Sequence, residues 1–200
     1  NIIFLFYNKY NILINIIFLF YNKYNIFILK IIIINKYSMT DSKTVHKLND
    51  SWILWFHDPL DNNWKLSSYK KIHKINTIES FWNLYNFLDN KIIENSMLFL
   101  MRENIEPLWE HKENIKGGCW SLKIQKGEIY NLWNSISISL LAENISNNEK
   151  IKINGISISP KKNFCIIKIW TNTNINNIKT LNPIKYLSYD GIIFKPHNIN

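Results

Sequence analysis

Eight tryptophans stand in this 200-residue chain, at positions 52, 55, 64, 82, 109, 120, 133 and 170. A core rarely needs so many indoles in so short a stretch, so some are placed for recognition. Trp64 and Trp109 are the candidates, because Asn63 and Lys65 flank the first and Glu110 and His111 the second, and such polar surroundings argue against burial. An indole left outside a core offers an electron-rich face to cations and flat rings. A carboxylate beside it, as at Glu110, can only accept hydrogen bonds. Signals for catalysis are missing. The five histidines, His46, His57, His73, His111 and His197, show no metal-ligand spacing, Gly117-Gly118 is too short to cradle a phosphate, and there is no G-x-S-x-G elbow. The chain therefore reads as a binding module, with no enzyme, cofactor or metal site indicated. Trp52, Trp55, Trp120 and Trp133 are assigned to the core.

These side chains need strands and helices to hold them. Trp52–His57 is an aromatic run closed by Asp58-Pro59 and reads as a strand, and Trp64–Lys70 reads as the next. Thr77–Leu88 is predicted helical: Thr77 suits an N-cap, Glu79 the first turn, and Phe81, Leu84, Tyr85 and Leu88 recur at helical spacing with Trp82 at the edge of their arc. Met97–Met101 reads as a buried strand, and 102–118 as an irregular polar stretch punctuated by Pro107 and the two glycines. Cys119–Gln125 alternates, with Trp120, Leu122 and Ile124 on one face. A second helix follows through Ile129, Leu132, Trp133, Ile136 and Leu140. Ile151–Ile158 and Phe164–Thr171 alternate again around a hairpin turn at Pro160–Asn163, Gly155 shifting the phase as a bulge would. Gly191–Lys195 is a last short strand. The expected class is α+β, an antiparallel sheet with helices on one face.

Composition bounds the rest. With 46% hydrophobic residues the chain suits one ordinary domain. It holds 38 Ile, 31 Asn and 23 Lys against the single Arg102. Those favoured residues have A/T-rich codons, so the net charge of +9 is a weak guide to a nucleic-acid or membrane partner. Cys119 and Cys165 form no C-x-x-C pair, which suits a reduced intracellular protein without structural zinc. The segment NIIFLFYNKYNI occurs at Asn1–Ile12 and again at Asn15–Ile26, and no apolar run near it reaches the ~20 residues of a membrane-spanning helix. Residues 1–38 are expected to be low-complexity upstream sequence outside the native folded protein, with the start at Met39 and the domain at 39–200; a membrane anchor is the alternative.

One run is far more specific. Ile105-Glu106-Pro107-Leu108-Trp109-Glu110, a charged loop, then Gly117-Gly118-Cys119-Trp120 resembles the signature of the eukaryotic translation initiation factor 4E family, proteins that bind the 7-methylguanosine cap of mRNA. Trp52-Ile-Leu-Trp55-Phe56 with Trp64, the stretch Thr77–Asn86, and Ile166-Ile-Lys-Ile-Trp170-Thr171 match further family patterns in the right order. The resemblance covers about His46–Thr171 and then fades, where Asn172–Asn177 and Pro183 replace what would lead into a third helix. It implies a curved sheet with helices on the convex face, a cap slot on the concave side, and a cytoplasmic, monomeric initiation factor with no membrane partner.

The resemblance also assigns roles. N7-methylguanine is a delocalised cation, which Trp64 and Trp109 would clamp between two indoles. Glu110 would accept from N1–H and the N2 amino group in charge-assisted bonds, and Trp170 would lie near the methyl group. Of the three basic positions expected for the triphosphate, only Lys161 is basic here, the others being Cys119 and Ile166; Lys162 and Lys168 are possible substitutes. Weak, salt-sensitive triphosphate recognition is the expectation. His46, Ile78 and Trp82 match the surface that takes a helical peptide from the 4G-type scaffold factor or from a 4E-binding repressor, although Lys47, Asn134 and Ser135 depart from that pattern. A repressive paralogue and a general RNA-binding module are the alternatives.

Overall fold

The structure, a computed structural model, describes residues 45–197. Residues 1–38 and the proposed start lie outside that range. Seven strands form one antiparallel sheet: β1 (Lys47–His57), β2 (Tyr69–Thr77), β3 (Met97–Arg102), β4 (Gly118–Gln125), β5 (Ile153–Pro160), β6 (Phe164–Thr171) and β7 (Ile193–Pro196), in the order β2-β1-β3-β5-β6-β4-β7. Three helices accompany it: α1 (Ile78–Tyr85), α2 (Asn90–Asn95) and α3 (Ile129–Leu141). This is the expected α+β class.

Register decides which side chains share a face. One row of cross-strand partners runs Trp55–Phe99–Ser157–Lys168–Ser121, and the next runs Met101–Gly155–Trp170–Cys119–Lys195. Both rows belong to the open face of the sheet. The alternate residues, among them Trp52, Leu54, Leu100, Ile156 and Ile169, lie on the other face and are fully buried. That is the helical face, where Cys165 Sγ reaches the Glu94 carbonyl of α2 at 3.7 Å and Tyr85 of α1 donates to Ser137 of α3 at 2.5 Å. The four tryptophans assigned to the core are all buried. Cys119 and Cys165, both free thiols, stand on opposite faces and so cannot pair.

Helix α1 begins as its sequence dictates. The Thr77 side chain accepts from Ser80 N at 3.0 Å while Ser80 Oγ accepts from Thr77 N at 3.1 Å, a complete capping box. Thr77→Ala is expected to cost about 1 kcal/mol of stability, read as a lower denaturant midpoint, with no effect on ligands of the open face.

Two expected elements have different bounds. The helix ends at Tyr85 rather than Leu88, because Asp89 accepts from Ile92 N and caps the separate helix α2. Of Trp64–Lys70 only the last two residues are strand: a 3₁₀ turn occupies Leu66–Ser68, and β2 starts at Tyr69. The cause is the Asn63 carbonyl, which His57 Nε2–H and Ser68 Oγ both reach, at 2.8 and 2.5 Å, folding the loop back. The expected phase shift in β5 is real. Ile153 faces Thr171 and Gly155 faces Trp170, so Asn154 is the extra residue of a bulge.

Candidate functional site

A cleft of about 320 Å³ opens on the face away from the helices. Trp64, Trp109, Glu110, Lys161, Lys168 and Trp170 all line it, joined by Tyr69, Phe99, Ser157 and Ser159. Five segments distant in sequence thus converge on one site. Lys162, exposed in the same turn as Lys161, does not line it. Cys119 is buried, and Ile166 stands half-buried two residues from Lys168 on the same face.

The two candidate indoles are exposed, Trp64 at 54% and Trp109 at 49%. Trp64 is nevertheless held in place. His57 stacks against one side of it with ring centroids 4.5 Å apart and planes within 1°, leaving the other side free. His57 itself is fully buried, with Tyr69 tilted against it at 4.7 Å.

Trp109 and Glu110 sit on the 103–117 loop, which asparagines pin down. The Asn114 amide donates to the carbonyls of Leu108 at 2.7 Å and Glu106 at 3.1 Å. Asn154, projected by the β5 bulge, donates in turn to Glu113 O at 2.7 Å and Asn114 Oδ1 at 2.9 Å. At the end of the loop the backbone passes tight against its neighbours: a Cβ on Gly117 would come within 1.8 Å of the Thr171 carbonyl, and one on Gly118 within 2.6 Å of the Lys195 carbonyl. Only glycine fits at either position.

Trp170 forms the floor. Its Nε1–H donates to Ser157 Oγ at 2.9 Å, which fixes the ring, and Phe99 meets it edge-on at 6.4 Å. His197 tilts over it at 4.9 Å and donates from Nδ1 to the Asn114 carbonyl at 2.8 Å. Burial, against that hydrogen bond and together with the positive Lys168, pushes the His197 pKa down. The Tyr69 hydroxyl is pushed up to about 12, first by burial and then by the negative Glu110. It is a neutral hydrogen-bonding group at physiological pH.

Tyr69, His57, Ser157, Asn114 and Asn154 were not among the residues singled out by sequence. Tyr69 and His57 are direct partners across the β1–β2 pair that Trp64 connects, so a hairpin drawn in register would have brought them to that tryptophan. Among the described residues no group of three His, Cys, Asp or Glu side chains converges to hold a metal ion. No described helix is long and apolar enough to cross a membrane.

The second predicted surface also assembles. Ile78 and Trp82 are exposed one turn apart on α1, Trp82 at 47%, and Ile78 N donates to the His46 carbonyl at 2.9 Å. Glu79 accepts from His46 Nδ1 at 2.7 Å, which holds its carboxyl below the usual range. Val45 and Phe87 add exposed apolar surface.

A family model described as eukaryotic initiation factor 4E matches residues 47–198. The chain belongs to that family. Translation initiation factor 4E of Candida albicans is 32% identical over 151 residues, covering 66% of this chain and 71% of that protein. The isoform 4E factor of Capsicum annuum is 31% identical over 143 residues, covering 68% and 70%. Among solved structures, Ascaris suum eIF4E-3 with m7G cap superposes with a TM-score of 0.59 at 24% identity over 66% of this chain and 77% of its own. Caenorhabditis elegans eIF4E-3 with the 4E-binding protein Mextli gives 0.58 at 23%, over 66% and 78%. The 4E-family chain thus has the family's fold, a seven-stranded sheet with helices on one side and the Trp-lined cleft on the other.

Proposed function

We propose that this chain binds the 7-methylguanosine 5′ cap of mRNA and brings it to the translation initiation machinery in the cytoplasm, as a binding factor rather than an enzyme. One observation carries the reading. Two half-exposed indoles, a carboxylate and two lysines, drawn from separate segments, line the same cleft.

Each group has a task that its chemistry suits. The cationic base inserts between the free side of Trp64 and the ring of Trp109, gaining about 2 kcal/mol or more per desolvated cation–π contact. Glu110 accepts from the guanine N1–H and N2 amino edge, and Trp170 bounds the space for the methyl group. Lys161 and Lys168 face the phosphates. With no Arg fork at either position the grip lacks bidentate geometry.

The test is quenching of tryptophan fluorescence. 7-Methyl-GTP is expected to bind at least tenfold more tightly than GTP, since GTP carries no positive base for the indoles. Equal affinities would refute cap reading. The gain from one to three phosphates is expected to be small and to shrink with salt.

On the helical side, His46, Ile78 and Trp82 form the surface for a helical peptide of a 4G-type scaffold or of a 4E-binding repressor. An exposed Trp flanked by apolar groups is what a peptide anchor needs. The family's binding of both kinds of ligand supports this assignment, and it leaves the cap cleft on the opposite face free to act at the same time.

A further inference from the structure

We propose that the open face of β6, β4 and β7, beyond the cleft, carries the RNA backbone that follows the cap, with Lys123 and Lys195 contacting its phosphates. The inference rests on the cap-binding reading. It begins from register. Lys168 lines the cleft and is paired across β6–β4 with Ser121. Lys123 lies two residues beyond Ser121 on β4, and Cys119, two residues before it, is paired with Lys195 of β7. All therefore share the face of Trp170, with Lys168 and Lys123 as diagonal neighbours about 7–8 Å apart.

The charge of this surface is of one sign. Strands β4, β5, β6 and β7 contain three charged residues, Lys123, Lys168 and Lys195, and no Asp or Glu. The helical face is buried, so a charge in these strands has to point to the open side. Nothing in the packing requires every such charge to be positive. Lys123 and Lys195 are exposed, and among the described residues no carboxylate forms an ion pair with either of them or with Lys161 or Lys168.

Lys123 also shows where its ammonium lies. Nζ sits 4.4 Å from the centre of the Phe164 ring, on the same open face, which keeps the charge over the sheet. An ammonium beside a half-exposed ring is the pairing that single-stranded nucleic acid uses, phosphate on the cation and base on the aromatic. The surface is continuous with the cleft through Lys168. A chain leaving the triphosphate reaches it without a break, and the match is to phosphodiesters rather than to another flat base-reading slot.

Binding of 7-methyl-GTP, a short capped oligonucleotide and the same oligonucleotide uncapped, each over a range of salt, tests the proposal on the full chain and on a Lys123→Gln/Lys195→Gln variant. For single strands each phosphate contact steepens the salt dependence by about 0.7. The capped oligonucleotide is expected to bind native protein with a steeper slope than 7-methyl-GTP. The variant should lose about 1.4 of that slope and several-fold in low-salt affinity, with 7-methyl-GTP unaffected. Unchanged binding of the capped oligonucleotide overturns the proposal, and so does an equal loss for 7-methyl-GTP, which would move both lysines into the triphosphate grip. If 7-methyl-GTP fails to bind native protein, the cap reading itself has failed; a variant-dependent slope with the uncapped oligonucleotide then still supports the lysine stripe, and an unchanged slope refutes it.

Discussion

Replacing Glu110 with alanine is expected to lower affinity for 7-methyl-GTP about 30-fold or more while the protein stays folded. The carboxylate is exposed in the free chain, so its removal leaves no hole. Its value arises on binding, when the cleft closes over two donors of a positively charged base. Truncating one partner of such a desolvated, charge-assisted pair costs about 2–5 kcal/mol, and about 1.4 kcal/mol is a factor of ten. Glu110→Gln should fare little better, because the amide meets the guanine edge with a donor where an acceptor is needed. Trp109→Ala should also abolish retention on a methylated-cap resin, by removing one side of the clamp. The two losses differ in kind: without Glu110 the remaining indoles should stack other N7-methylated purines as well as before, whereas without Trp109 every cationic base should suffer.

Tyr69 gives Glu110 a second readout that involves no ligand. Its pKa is raised to about 12 by burial and, secondarily, by the Glu110 charge. Removing that charge should lower the value, leaving it above 10 because burial persists, and an absorbance titration of the tyrosines would follow it. The sign for stability is fixed by the same shift. A folded-state pKa above the unfolded one favours the native protein fully below pH 10, and the contribution disappears as the pH rises towards 12. An unchanged Tyr69 titration in Glu110→Ala would mean that the carboxylate points away from the cleft.

How far the sequence led varied with how local the cause was. The N-cap of α1, the alternation of β4 and the phase shift at Gly155 were all legible, because each depends on neighbours within a few residues. The identity of the bulged residue was not. Asn154 matters through an amide that reaches Glu113 and Asn114 some forty positions away, and an Asn in an Asn-rich chain gives no sign of that. The Trp64 loop failed for a similar reason: its place after the turn-like Asp61-Asn62-Asn63 suggests a strand, but hydrogen bonds from His57 and Ser68 to one carbonyl turn the chain first. The cleft's three tryptophans and Glu110 were recoverable as a pattern. The polar residues that hold them were not, since Asn114 and Asn154 act through backbone carbonyls that carry no sequence signal, and Ser157 through an indole N–H from the neighbouring strand.

The largest effect on stability is expected at Arg102, where the strand feeding the Trp109 loop ends. The guanidinium is only 6% exposed; it donates from Nε to the Ile153 carbonyl at 2.8 Å, pairs with Asp50 and Glu143, and lies over the Trp52 ring at 4.5 Å. Its two carboxylate partners are partly exposed, so losing Arg102 would let them return to water, whereas losing them strands a buried charge. The more damaging change is thus Asp50→Asn with Glu143→Gln, at about 3–5 kcal/mol. For a domain of this size that is a fall in Tm of roughly 10 °C. Glu143 adds a discriminating variant. It ends α3 with φ 55°, the left-handed geometry usually given to glycine, and the reversed turn is closed by Asn144 N to the Ser139 carbonyl and Glu143 N to the Leu140 carbonyl. Glu143→Gly relieves about 1 kcal/mol of backbone strain and removes the ion pair, so the two effects oppose one another. Charge should win, and Glu143→Gly should be less stable than the native protein but more stable than Glu143→Gln, which keeps the strain and loses the charge. If Glu143→Gly proves more stable than the native chain, the buried guanidinium is satisfied by Asp50 and the Ile153 carbonyl alone.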